Sequence, residues 1–212
     1  MLHRAGKASI RRRPVTSTLG RMKQPETQPA HSSNRFERAV RRVGAEAFWL
    51  KTYHTAISSM KVHALGLDFF RVSLNSLKDA RLIRLIRVLE DDSRTASFWY
   101  LMKSDSSRVQ RAAKKAKADL KHLADVSTRL RGIRDNTFVH IDKTAVFNPD
   151  QLYRSAGLTH TDLEKAIGDL WSTIGALHQD VFKQELNADD YSGEDIAWLA
   201  SLRDAALNYP TK

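Results

Sequence analysis

The 212-residue chain contains no cysteine. That absence excludes disulfides, thiolate zinc sites, iron–sulfur clusters and a cysteine nucleophile. Proline is scarce and unevenly placed: three of the five fall within residues 1–33, and none occurs between Ala30 and Asn148. Long apolar runs are missing as well, none approaching the roughly 18 residues that suggest a membrane span. Apolar residues still make up 42% of the chain, enough to build a core. There is no P-loop, no GxGxxG turn, no GxSxG elbow and no HExxH or HxxxH pair, so the usual nucleotide, hydrolase and zinc signatures are absent. We expect no metal site, no cofactor and no membrane partner, and a cytoplasmic location.

Positive charge is plentiful, with a formal net charge of +11. Its distribution matters more than its size. Residues 1–35 carry eight Lys and Arg (Arg4, Lys7, Arg11, Arg12, Arg13, Arg21, Lys23 and Arg35) against one acid, Glu26, and the rest of the chain holds 27 basic and 23 acidic side chains. Most of the surplus therefore belongs to the first segment. A basic tail speeds encounters with any polyanion and specifies nothing by itself. Residues 1–33, rich in Ser, Thr and Gln, read as a basic disordered arm. The same Arg-rich, acid-poor composition also fits a targeting segment or a chain whose true start is Met22. Residues 34–212 form the expected helical domain.

Between Ala30 and Asn148 only Gly44, Gly66 and Gly132 interrupt good helix formers, a composition that predicts helix. Ser33 or Asn34 can cap a first helix running to about Lys61, with Phe36, Val40, Val43, Ala47, Leu50 and Ile57 at helical spacing. A second helical region spans 67–90. In it Arg81, Arg84 and Arg87 step by three, which reads more readily as the wet side of an amphipathic helix than as a phosphate-tracking ridge. A short aromatic helix covers 95–103, and a long helix is expected from Ser106 to about Thr137. After a loop over 147–160, Thr161 opens another helix with a Thr161–Glu164 capping-box spacing. Ser192 begins the last helix, with Asp195 as a weaker echo of that device. No strand run alternates, so the fold class is all-α. Trp49, Phe69, Phe70, Phe98, Trp99 and Trp171 sit at helical spacing and are expected in the core, and Lys114–Lys117 on a solvated surface.

The stretch LRGIRDNTFVHID, residues 130–142, stands out. The apolar stripe of the long helix steps through Ala113, Ala116, Leu120, Leu123, Ser127 and Leu130, and the next step reaches an arginine, Arg134. At about 100° per residue, Arg134 lies roughly 40° from the stripe centre, His140 about 80° to the other side, and the two are about 9 Å apart along the axis. They converge on one ligand only where the helix loosens near His140 or where a second copy faces this one. In a two-fold dimer, self-complementary packing brings two such pairs around one cleft, and a guanidinium on a burying face is then tolerated beside a bound phosphate.

Arg134-Asp135-Asn136-Thr137-Phe138-Val139-His140 resembles the R-(polar)-x4-H signature of HEPN domains. The wider chain is similar to the abortive-infection (phage-exclusion) branch of that family in its early FW-containing helix, its Arg/Leu-rich second segment, the late motif and the downstream TDLEKAIGDLWSTIGAL helix. The resemblance covers roughly residues 35–205. It implies an all-α HEPN-like bundle with a long motif-bearing helix, and a metal-independent endoribonuclease at a homodimer cleft. In that reading Arg134 and His140 form the catalytic pair and Asp135 is the variable polar residue; Asn136, four residues before His140 on nearly the same helical face, is placed to support the imidazole or a phosphate. The partners implied are RNA, a second copy of the chain and an antitoxin protein that restrains the activity. Some toxin members carry a tyrosine two residues after the histidine; Asp142 stands there in this chain.

The chemistry is coherent without the family. RNA carries its own nucleophile, the 2′-hydroxyl. Histidine titrates near neutrality, and a permanently charged, fork-shaped arginine suits the phosphorane. Arg129, Arg131 and Lys143 flank the motif as weaker candidates for gripping RNA. Two rival readings stay open: a non-catalytic HEPN module that binds nucleotide or protein, and a nucleic-acid binder driven by the arm. Deleting residues 1–33 separates the last from the others. RNA cleavage is expected to survive the deletion, while an arm-driven binder loses most of its affinity and salt dependence in filter-binding titrations.

Overall fold

The computed structural model describes residues 35–62, 68–92, 94–135, 154–186 and 191–207. The regular structure among them is all-α, in seven helices: α1 (Arg35–Val62), α2 (Asp68–Leu89), α3 (Phe98–Ser104), α4 (Ser106–Ala116), α5 (Leu120–Ile133), α6 (His160–Phe182) and α7 (Glu194–Leu207). The expected caps at Ser33 and Asn34 lie outside the described residues.

Helix α6 is the spine. It packs on α1 and on α4, and its Ala166, Ile167, Leu170, Ile174 and Leu177 are all buried in the main core. Arg41 of α1 stacks over the Phe182 ring at 4.1 Å. One turn of α1 later, a Cβ on Gly44 would come within 2.9 Å of the Leu186 side chain, just past the end of α6, with His178 and Ile174 at ordinary contact distance. The helix opens on a capping box formed by Thr159 and Asp162, two residues before the expected Thr161–Glu164 pair. Both frames satisfy the spacing. The earlier one also places the Gly157 carbonyl where Arg129 donates to it at 2.8 Å.

The expected long helix is broken. Helix α4 ends in a left-handed Lys117 (φ 56°), with Lys117 N–H donating to Lys114 O and Ala118 N–H to Ala113 O. Those two bonds are the Schellman closure. Asp119 then caps α5 by accepting from His122 N–H at 2.9 Å. The helix leading into the motif is thus the 14-residue α5, which buries Leu123, Val126, Leu130 and Ile133.

Helices α1 and α2 run antiparallel, as their cross-pairs show. Glu46, buried on α1, accepts from Arg84 at 2.5 Å and pairs with Arg87 at 3.3 Å and with Arg42 at 3.0 Å. Farther along, Arg81 Nη1 lies 3.3 Å from His54 Nδ1. The expectation of a wet arginine side is therefore corrected: Arg81 is 7% exposed, Arg84 is pulled inward by Glu46, and only Arg87 stays half in water. Of the expected core aromatics, the Phe69 side chain lies outside the described residues, and Trp49 is 45% exposed, with the Arg84 guanidinium 5.8 Å from its ring centroid. Phe98 is fully buried, and Trp99 and Trp171 pack against the main core. Phe70 belongs to a second, smaller cluster with Ala56, Ile196 and Ala200, which seats α7. That helix starts after Gly193 (φ 77°), and Asp195 accepts from the Tyr191 hydroxyl at 2.7 Å. Lys114, Lys115 and Lys117 are exposed, as expected.

His54 must remain neutral to accept from Arg81. Burial lowers its pKa below 6.5, with Arg81 and Lys51 adding to the effect and Glu164 opposing it. The folded state therefore binds fewer protons than the unfolded one as pH falls through this range. We expect stability to be full above about pH 6.5, where the unfolded histidine is also neutral, and to fall as pH drops through the lower folded value. Urea melts across that window check this, and His54→Gln is expected to flatten the dependence.

Candidate functional site at the end of helix α5

Arg134 follows α5 directly, where the helix widens into a π-type turn at residues 134–135. Such turns are over-represented at functional sites. The side chain reaches the far wall of a pocket of about 370 Å³, lined by Ile86, Leu89, Glu90, Asp91, Asp92, Ser127, Leu130, Arg131 and Arg134. The wall opposite α5 is the acidic turn after α2. Arg134 Nη1 donates to Glu90 Oε1 at 2.5 Å, and its other edge pairs with Asp135 at 2.7 Å. The hydrogen bond to Asp135 leads the effects that hold this guanidinium above its ordinary value, with Glu90 contributing. Arg134 is a permanent cation here.

Each carboxylate of the acidic turn has a cation. Asp91 accepts from Lys103 at 2.5 Å. Asp92 accepts from Arg94 at 2.7 Å, and that side-chain hydrogen bond is the main reason its pKa falls to about 2. With Glu90 assigned to Arg134, the turn is charge-balanced. Arg131, exposed on α5, is then the cation lining the pocket that makes no ion pair among the described residues. The pocket floor is polar at one point: Ser127 donates to Leu89 O at 2.7 Å and accepts from Trp99 Nε1 at 3.1 Å.

Of the residues singled out in the sequence, the structure brings Arg131 and Arg134 to the pocket, with Asp135 at the Arg134 guanidinium. Arg129 is engaged elsewhere, paired with Asp125 and reaching Asp162 at 3.5 Å and the Gly157 carbonyl. His140, Asn136, Asp142 and Lys143 lie outside the described residues. Glu90 went unnoticed in the sequence. The signal was there, three consecutive acids directly after an arginine-rich helix, but its pairing with a residue 44 positions away is not a local property. Among the described residues no group of three or more His, Asp or Glu is placed to hold a metal ion, and no helix is long and apolar enough to cross a membrane. Comparison with protein-family models, with curated proteins and with solved structures finds no match to this chain.

Ser127 supports this pocket through two hydrogen bonds inside the fold. Ser127→Ala leaves the Leu89 carbonyl and the Trp99 indole N–H without their partner. A destabilisation of about 2 kcal/mol is expected, read from chemical melts together with a shift in tryptophan emission.

Proposed function

We propose that this chain is a metal-independent endoribonuclease of the HEPN type, with a toxin or abortive-infection role, acting on RNA as a homodimer through Arg134 and His140. The observation that carries the reading is the position of Arg134: a permanent cation lining a polar pocket, where its helix loosens, beside Arg131, which makes no ion pair among the described residues. The sequence resemblance supplies the histidine.

In the proposed reaction the 2′-oxygen attacks the adjacent phosphorus and its proton passes to a His140 imidazole. The phosphorane's added negative charge is stabilised by Arg134. The bond to the 5′-oxygen breaks, that oxygen takes a proton from the symmetry-related imidazolium, and the products are a 2′,3′-cyclic phosphate and a 5′-hydroxyl. The RNA phosphate must replace Glu90 on the guanidinium for this to proceed. A protein antitoxin is the natural source of restraint.

One observation favours a second reading. Both edges of the Arg134 fork already meet carboxylates, at 2.5 and 2.7 Å, as in a structural ion-pair site. A non-catalytic HEPN module for dimerisation or nucleotide binding would keep that arrangement permanently.

Incubating purified protein with total RNA in EDTA tests the choice. His140→Ala is expected to lower cleavage by roughly 10²-fold or more, with circular dichroism unchanged. Glu90→Gln removes the competing carboxylate while keeping the arginine, and cleavage is expected to hold or rise. Undiminished cleavage in His140→Ala would falsify the role given to that residue. A Glu90→Gln protein that is destabilised and never cleaves favours the scaffold.

A further inference from the structure

A second charged hollow lies on a different pair of helices, where nothing in the motif pointed. Between α4 and α6 a groove of about 280 Å³ is lined by Arg108, Arg111 and Lys115 from α4, and by Gln179, Asp180 and Lys183 from α6 and its C-terminal cap. Four cations face one acid. Ala112 and Ala176 form the floor, and with only methyl groups there a chain can settle between the charged rims. The three α4 cations sit at i, i+3 and i+7, so they line one helix face over roughly 10 Å of axis.

Arg111 and Lys115 make no ion pair among the described residues, and both are exposed. Arg108 is held loosely. Its Nε lies 3.4 Å from Asp180 and 3.7 Å from Asp105, yet it makes no hydrogen bond and is buried. Lys183 donates to the Asp180 carbonyl at 2.8 Å and lies 3.9 Å from its carboxylate. Asp180 thus places two rim cations without neutralising the row.

From this geometry we infer that the α4–α6 groove binds the phosphodiester backbone of single-stranded RNA. No aromatic ring lines it, so it offers no platform for stacking bases. A row of charge on one helix face reads backbone and carries no sequence information. Gln179 supplies a neutral donor of the kind that often accompanies such contacts. The inference deepens the ribonuclease reading by giving the substrate a second hold, and it rests on that reading for the identity of the strand.

Fluorescence anisotropy of a labelled 2′-O-methyl RNA oligonucleotide, titrated with the full chain at several salt concentrations, tests it. This ligand lacks the attacking hydroxyl. Binding is therefore read without cleavage, and failure here leaves the EDTA assay standing. Arg111→Gln combined with Lys115→Gln is expected to reduce the slope of log K against log salt by about 1.4, two contacts at roughly 0.7 each, and to weaken binding roughly 10- to 25-fold at 0.1 M salt. Lys114→Gln with Lys121→Gln, which removes two exposed cations that do not line the groove, is expected to change the slope much less. The inference is overturned if the groove variant keeps the wild-type slope with its helicity intact, or if the control pair lowers it equally. Tighter binding of polyglutamate than of RNA at the same salt, abolished by the groove variant, would overturn it in favour of an acidic protein.

Discussion

One buried hydroxyl fixes the geometry around the pocket. Leu89 ends α2, and a carbonyl at a helix end has no donor within its own helix. Ser127 supplies that donor from α5 at 2.7 Å and takes the Trp99 indole N–H in return. Three helices are thereby joined at one oxygen. Two turns beyond Ser127, α5 delivers Arg134 opposite the residue that follows Leu89, and the guanidinium meets Glu90. The register of the pocket follows from that tie, because sliding α5 by one residue would rotate Ser127 away from the carbonyl and Arg134 away from the acid turn.

The folded part of the chain sorts its cations into two groups. Those buried or half-buried between helices are matched: Glu46 takes Arg84, Glu90 takes Arg134, and neutral His54 accepts from Arg81. Desolvation imposes this order, since an interior cation without a partner is costly. Cations outside the helix interfaces are under no such constraint. Arg131, Arg111 and Lys115 remain unpaired among the described residues, and each borders a concave surface. Unmatched charge on a convex surface is ordinary solvation. Lining a hollow, it raises the local concentration of anions.

Helix existence was legible in the sequence because the proline-free apolar periodicity is local. Helices α1 and α2 begin and end within about two residues of the expected limits, and all-α is the observed class. What escaped depended on partners far along the chain or on weak local signals. Lys117 closes α4 in a left-handed conformation without the glycine that usually announces it. Its neighbour Asp119 was the only cap signal. Two overlapping Thr-x-x-acid frames differ by two residues, and contacts to Arg129 accompany the earlier one. The arginine series in α2 looked amphipathic because charge was taken as a marker of water, whereas Glu46 and His54, both on α1, draw two of the three inward. At the pocket, the motif singled out Arg134, which lines a concavity, and gave no hint of Glu90.

The Glu90 pairing does not by its magnitude disqualify Arg134 from chemistry. The two side chains are 28% and 22% exposed, so the pair sits between a surface bridge of up to about 1 kcal/mol and a fully desolvated one. An exchange of Glu90 for a phosphate loses an attraction of that order and recovers a comparable charge-assisted contact. The net penalty is about tenfold in affinity or less, small beside the catalytic contribution asked of an oxyanion-stabilising group. Asp135 can remain on the opposite edge throughout, since a guanidinium offers five N–H donors. On the proposed function, Glu90 therefore holds the cationic arginine oriented until RNA displaces it, without withdrawing it from the reaction.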